Sequence, residues 1–286
     1  ELEGKDTSSL RSIPCGGSAV PKSLSEAYRE QLGLPILQAW GMTETSPIAS
    51  VCQLDGDQRA LPVEEQAELR TQVGRISFGV DARVVDPETL EAIAWDGVSS
   101  GELQCRGNWI AADYYDDPRS RESFTDDGWL MTGDVGEWVD ESHVRIIDRI
   151  KHIIITAGGK NISPSEIENS LKTSLYVKEA MVIGDRRKFL SALIGIELDT
   201  VGDWALRRNI PYTTYRDLSE KPEVLELIQG VVNETNNKFA RVESIREFRM
   251  IPKELDHEDG ELTATQKIKR SSMEEAFNEL IEEMYA

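Results

Sequence analysis

Chemistry is suggested first by where the positive charge of this chain gathers. Its 52 acidic residues outnumber 32 basic ones, for a formal net charge of −20. Even so, Arg145, Arg149, Lys151 and Lys160 lie close together along the chain, and Lys267, Lys269 and Arg270 form a second group. Local basic clusters in an acidic protein can hold a small anion, whereas the overall charge disfavours nonspecific nucleic-acid binding. The alternative for each cluster is a solvated face. The first cluster overlaps residues 148–168, which read as a charged elbow, a β-branched strand at 153–155, a turn at Gly158 and Gly159 free to take positive φ, and a helix. Ser163 is placed as the helix N-cap, Pro164 as its first residue and Glu166 as the capping-box partner.

The elements that must position these groups follow from pattern. Residues 11–19 are expected as a short strand entering a glycine turn, 21–32 as an amphipathic helix ended by Gly33, and 34–40 as the next strand. Gly41, Met42, Thr43, Glu44 and Thr45 follow at once. Strand ends bearing small and polar residues side by side form the crevice in which open α/β sheets hold ligands. Residues 71–147 alternate between turns, as in a small antiparallel barrel or curled sheet. Residues 125–134 are rich in glycine and aspartate and are expected as a loop. Beyond the elbow the pattern predicts an antiparallel strand pair at 177–184 and 192–198, helices at about 200–209 and 222–237, a strand at 245–251, a loop at 261–270 and a closing helix from Ser271. The fold class is therefore α/β plus α+β, divided into 1–148 and 149–286.

A length of 286 residues with 39% hydrophobic content suits two globular domains. No apolar run approaches the roughly 20 residues of a membrane span, and the first residues lack the apolar core of a signal peptide. Cys15, Cys52 and Cys105 are an odd number at unrelated spacings. That argues for reduced thiols in a cytoplasm, against a disulfide framework or a zinc site.

Taken in order, Gly16-Gly17-Ser18-Ala19, residues 38–45 with Trp40-Gly41-Met42-Thr43-Glu44, residues 101–107, residues 129–134, Asp148-Arg149, Gly158-Gly159-Lys160 and residues 263–270 resemble the adenylate-forming, AMP-binding enzymes, specifically bacterial long-chain fatty acid–CoA ligases. The resemblance spans essentially the whole chain. It implies that 1–148 is the C-terminal part of the adenylation domain, an α/β layer plus a small antiparallel barrel, and that 149–286 is a mobile α+β lid. The implied chemistry joins a carboxylic acid to the α-phosphate of ATP, releases pyrophosphate, and then lets the CoA thiol displace AMP.

Each matching residue is expected to serve that chemistry. The resemblance makes Trp40, where the family usually has tyrosine, a stacking partner for adenine. Thr43 offers a hydroxyl to phosphate, and Glu44 a hard oxygen to Mg²⁺. Asp134 becomes the ribose ligand and Arg149 a second contact to ribose or phosphate. Gly16, Gly17, Ser18 and Gly41 line the nucleotide and acyl end, while Gly158, Gly159 and Lys160 meet CoA. Lys267 stabilises the charge that builds as the carboxylate attacks phosphorus. Around it this chain departs from the family at large, with Gln266 where glycine is usual and Ala264 where proline is common. Ile150 and Lys151 are the implied hinge about which the lid turns between the two half-reactions.

The pyrophosphate-cradling loop and most of the acyl tunnel that family members carry upstream have no match in 1–286. The chain is therefore expected to be the C-terminal half of a longer enzyme, inactive alone and cytoplasmic. Its expected partners are a fatty or related carboxylic acid, ATP and CoA, with no nucleic acid and no transmembrane segment. Peripheral membrane contact and oligomerisation through the missing N-terminal part stay open. So do two alternatives: a ligase for an aryl or sterol-side-chain acid, and a catalytically silent fragment of the same fold.

Overall fold

A computed structural model describes residues 5–118, 120–140, 143–157, 159–264 and 266–286. In it the chain divides into two units, Glu1–Lys151 and His152–Ala286.

In the first unit β1 (Ile13–Gly16) and β2 (Ile36–Trp40) pair in parallel, joined by the crossover helix α1 (Lys22–Leu32). Gly33 ends α1 in the left-handed conformation at φ 70°, its N–H donating to the Arg29 carbonyl at 2.9 Å, a geometry glycine adopts without a Cβ penalty. The chain continues through β3 (Ser50–Val51), α2 (Val63–Leu69), β4 (Gly74–Ile76), β5 (Val80–Val85) and β6 (Ser100–Gly107). The short helix α3 (Ser120–Ser123), β7 (Leu130–Trp138) and β8 (His143–Arg149) complete it. All eight strands form one sheet in the order β1-β2-β3-β4-β8-β7-β6-β5, antiparallel beyond β2. The antiparallel strands expected over 71–147 thus extend the same ladder as the parallel pair. Strand alternation gathers Val80, Val84, Leu103, Cys105, Trp138 and Val144 with Trp40 and Ala49 into its core.

One expectation is corrected here. The second half of 125–134 is strand, because β7 begins at Leu130 and carries Thr132, Gly133 and Asp134. Gly133 takes φ 71°, and the register shifts between Glu102 and Gln104 on β6 and between Val135 and Gly136 on β7. These irregularities let a glycine- and aspartate-rich segment stay in the ladder.

The second unit opens with a hairpin of β9 (Ile154–Ile155) and β10 (Asn161–Ile162). Helix α4 (Pro164–Lys172) follows. Ser163 has the extended backbone of an N-cap, but its side chain makes no capping hydrogen bond. The hydroxyl half of the expected capping box is therefore missing, and Pro164 at the first position presets φ. A three-stranded sheet comes next, β11 (Val177–Ile183) antiparallel to β12 (Leu190–Ile196). Helices α5 (Leu198–Leu206), α6 (Tyr215–Ser219) and α7 (Pro222–Asn236) then lead to β13 (Ile245–Met250), which lies parallel to β12. The chain closes with α8 (Arg270–Ala276) and α9 (Asn278–Glu283).

Every residue of β12 is buried, as a central strand covered on both faces must be. Ala180, Val182, Ala192 and Ile194 face a core shared with Ile167 and Leu171 of α4 and Val224 and Ile228 of α7. Met181, Ile183 and Leu193 alternate to the other face, against Met273 of α8, Phe277 at the junction of α8 and α9, and Ile281 of α9. Among the described residues no helix is long and apolar enough to cross a membrane.

Candidate functional site

In the first unit three residues far apart in sequence converge. Asp134 on β7 stands opposite Arg149 on β8, and its side chain lies almost wholly inside, the residue being 5% exposed. The Arg149 Nε contacts Oδ1 at 2.6 Å, and the Trp40 indole N–H donates to Oδ2 at 2.7 Å. The bulge holds the carboxylate in place from behind. The Thr132 hydroxyl accepts from the Asp134 N–H at 3.1 Å and donates to the Leu103 carbonyl. Buried Glu102 accepts the Gly133 N–H at 3.2 Å and the Gln104 amide at 3.3 Å. Arg149 and the Trp40 indole N–H thus address one oxygen each of this carboxylate.

The charge of Asp134 is felt nearby. Burial first, and this carboxylate second, push the Cys105 thiol up to about 12. Burial likewise raises Cys52 to about 11. Both are inert protonated thiols near neutrality, and Cys15 is exposed.

Trp40 is 8% exposed and lies in a core with Ala49, Val73 and Trp138, and its indole N–H is committed to Asp134. Just beyond it, a Cβ on Gly41 would stand 1.9 Å from the Pro47 carbonyl oxygen, so only glycine fits. The turn Thr43–Thr45 follows. Buried Thr45, which sequence reasoning missed, ties it together by donating to the Pro47 carbonyl at 2.7 Å and accepting the Met42 N–H at 2.9 Å. Thr43 is exposed and Glu44 half-buried. The Glu44 carbonyl accepts the Ala111 N–H at 2.7 Å, and its Oε1 accepts the Tyr114 hydroxyl at 2.6 Å. Tyr114 sits in an irregular stretch with no periodic signal that could have flagged it. Gly16, Gly17 and Ser18 are exposed at the end of β1. A Cβ on Gly16 would meet the Ala39 carbonyl oxygen at 2.9 Å, and Gly17 takes φ 93°.

In the second unit Gly158 lies outside the described residues. Gly159 turns at φ 78°, its N–H donating to the Thr156 carbonyl at 2.8 Å, and the Lys160 ammonium pairs with Glu243 at 3.2 Å. Lys267 is exposed on a loop closed by an antiparallel bridge between Leu262 and Ile268. The Thr263 N–H donates to the Lys267 carbonyl at 2.7 Å, and the Thr263 hydroxyl accepts the Lys267 N–H at 3.0 Å. Past the loop, Arg270 donates to the Val182 carbonyl at 2.9 Å and pairs with Glu168. Ile150 and Lys151 belong to one tight turn, Ile150–His152. An open cleft of about 480 Å³ in this unit, lined by Asp199, Asp203, Tyr212 and Tyr215 among others, contains none of these residues.

Two features of sequence read differently in three dimensions. The basic clusters are largely matched by acids: Arg145 pairs with Glu137, Arg149 with Asp134, Lys160 with Glu243 and Arg270 with Glu168. Gln266, where the resembling enzymes have glycine, takes φ 60°, a left-handed position costing a side-chain-bearing residue about 1 kcal/mol or more. Gln266→Gly is expected to raise the stability of the second unit by about 0.5 kcal/mol, the relief being partly offset by glycine's larger unfolded entropy. Urea unfolding checks the sign.

Among the described residues no group of three or more His, Cys, Asp or Glu side chains gathers to cage a metal. A single half-buried carboxylate at Glu44, next in the chain to Thr43, nevertheless fits Mg²⁺, which binds through one or two carboxylates together with waters and substrate phosphates.

The chain is similar to known proteins along most of its length. Residues 1–115 match the AMP-binding enzyme family and residues 151–286 the AMP-binding enzyme C-terminal domain. A long-chain-fatty-acid–CoA ligase of Mycobacterium bovis is 31% identical over 96% of this chain and 42% of its own length. A peroxisomal long chain acyl-CoA synthetase of Arabidopsis thaliana is 29% identical over 97% of this chain and 39% of its own. The chain thus spans less than half the length of these curated relatives. The fold matches the adenylation domain of a Mycobacterium chelonae carboxylate reductase with TM-score 0.74 at 20% identity, covering 95% of this chain and 38% of that one. With both of its units matched by the family's own two domains, in the family's order, this chain belongs to the AMP-binding enzymes.

Proposed function

We propose that this chain supplies the ribose-holding strands, the catalytic-lysine loop and the lid of an AMP-forming fatty acid–CoA ligase acting on long-chain acids. The observation that carries the reading is the buried Asp134 carboxylate held between the Trp40 indole N–H and Arg149. A carboxylate fixed by two donors and backed by a strand bulge is preorganised to accept the two hydroxyls of a ribose. The names of the relatives support the acid–CoA ligase class and long-chain acids.

In the first half-reaction a carboxylate oxygen of the acid forms a bond to the α-phosphorus of ATP and pyrophosphate leaves. Asp134 fixes the ribose and Arg149 adds positive charge beside it. Lys267 offsets the repulsion between the two reacting anions, an effect that grows as charge builds on the phosphorus oxygens. Mg²⁺, when bound at Glu44, neutralises phosphate charge. In the second half-reaction the CoA sulfur bonds to the acyl carbon and AMP leaves. The Gly159 turn, open around its Cα, lets the backbone approach the thiol's pantetheine arm, and Lys160 is a cation for its phosphates. Rotation about Ile150 and Lys151 exchanges the lysine loop for this turn.

Calorimetry with AMP on the full-length protein tests the reading. Asp134→Ala is expected to weaken AMP about a hundredfold, because two charge-assisted hydrogen bonds of about 1.5 kcal/mol each are lost. Asp134→Asn, which keeps an acceptor for Trp40 and so guards against misfolding, should weaken it about tenfold. Affinities within twofold of the parent for both variants would overturn the ribose assignment.

A further inference from the structure

The hydrogen bond from Tyr114 to Glu44 spans 70 positions of sequence at 2.6 Å, and no role proposed above uses it. The contact is built from both sides. On one side the Glu44 carbonyl is pinned by the Ala111 N–H at 2.7 Å, so the segment carrying Tyr114 is fastened to the turn carrying Glu44 by a backbone bond as well. On the other, Tyr114 is fastened to the start of α3. Its N–H donates to the Ser120 hydroxyl at 2.9 Å, and its ring meets Phe124 edge-on at 5.9 Å between centroids. Two backbone anchors and a ring contact hold the phenol in one place, and the phenol holds one carboxylate oxygen.

We propose that Tyr114 is a positioning residue for the nucleotide's magnesium: by donating to Oε1 of Glu44 it restrains the carboxylate and leaves Oε2 to the hard cation. The inference rests on the reading of Glu44 as the metal-side carboxylate. A half-buried glutamate has three side-chain torsions, and without a donor on one oxygen it rotates among several orientations of which few present an oxygen to the phosphates. An outer partner that orients a ligating carboxylate changes metal affinity about tenfold or more when removed. Removing the hydroxyl leaves nucleotide contacts that need no metal as they were.

The test is calorimetry with α,β-methylene-ATP on the full-length protein, in excess Mg²⁺ and in EDTA. The ratio of the two affinities is the magnesium increment. Tyr114→Phe keeps the ring against Phe124 and is expected to reduce the increment about tenfold, with affinity in EDTA within about twofold of the parent. In the Glu44→Gln background the same change should alter the increment less than about twofold, since the carboxylate it orients is gone. An equal loss with and without Mg²⁺, or a tenfold effect that persists in Glu44→Gln, overturns the proposal in favour of a purely structural tyrosine. If Glu44→Gln lowers the increment and Tyr114→Phe does not, the role of Tyr114 falls and that of Glu44 stands. If Glu44→Gln leaves the increment intact, the metal reading of Glu44 falls and takes this inference with it.

Discussion

Lys267→Ala lowers acid-dependent ATP–pyrophosphate exchange by about a hundred- to a thousandfold in the full-length enzyme and leaves the melting temperature within about 1 °C. The asymmetry follows from where the lysine sits. Its backbone is clamped by both bonds to Thr263, and the loop is closed by the bridge between Leu262 and Ile268. Behind it the Lys269 N–H donates to the carbonyl of buried Glu261 at 2.8 Å, and Arg270 is tied to Val182 and Glu168. These are backbone bonds of the loop and bonds of neighbouring side chains, which Lys267→Ala keeps, and Lys267 itself is exposed. Truncation therefore removes the charge and keeps the loop. Thioester formation from a presynthesised acyl adenylate, in which no carboxylate attacks phosphorus, should stay within about threefold of the parent. Equal loss of both half-reactions would show Lys267 acting on fold or CoA binding, and no loss of exchange would remove it from the chemistry.

Gly41→Ala destabilises the first unit by about 3 kcal/mol or more, seen as a fall in melting temperature of about 10 °C. The added Cβ would stand 1.9 Å from the Pro47 carbonyl oxygen and 2.9 Å from the Ile48 Cα. Both obstacles are backbone, so no rotamer change relieves them. The segment after β2 must move, and with it the bond from the Ala49 N–H to the Trp40 carbonyl at 2.9 Å. Because Trp40 orients Asp134 while Thr43 and Glu44 follow directly, nucleotide affinity should fall together with stability. A variant that melts like the parent would show that the loop at 46–48 yields easily. In that case the close approach would not be what requires glycine.

The strands and helices whose signals were local could be read from sequence alone. The strand–helix–strand run around α1 came from apolar runs and a terminating Gly33, and the second unit from short apolar stretches at 177–184, 192–198 and 245–251. What stayed hidden depended on contacts at long range. Gly133 and Asp134 read as loop because glycine at positive φ and aspartate are poor strand formers in isolation; only neighbours on both sides hold them in β7. The core that Trp40 shares with Val73 and Trp138, and its bond to Asp134, join residues well away in sequence. The basic clusters looked like anion sites because sequence shows which residues are near one another along the chain, and not the Glu137, Glu168 and Glu243 that approach across strands and helices. Tyr114 and Thr45 act through hydrogen bonds to particular partners, which leave no periodic trace. Helix α6 is only five residues long and owes its start to the Thr214 hydroxyl accepting the Asp217 N–H at 3.1 Å, too short a run to register as a period.

The distribution of sulfur has a practical consequence. Cys52 and Cys105 are walled off by the sheet and kept protonated, so of the three cysteines in this chain an electrophilic dye finds Cys15. That thiol stands at the sheet margin immediately before Gly16 and Gly17. An optical tag there would sit beside the turn proposed to meet the incoming nucleotide, placed to register its arrival.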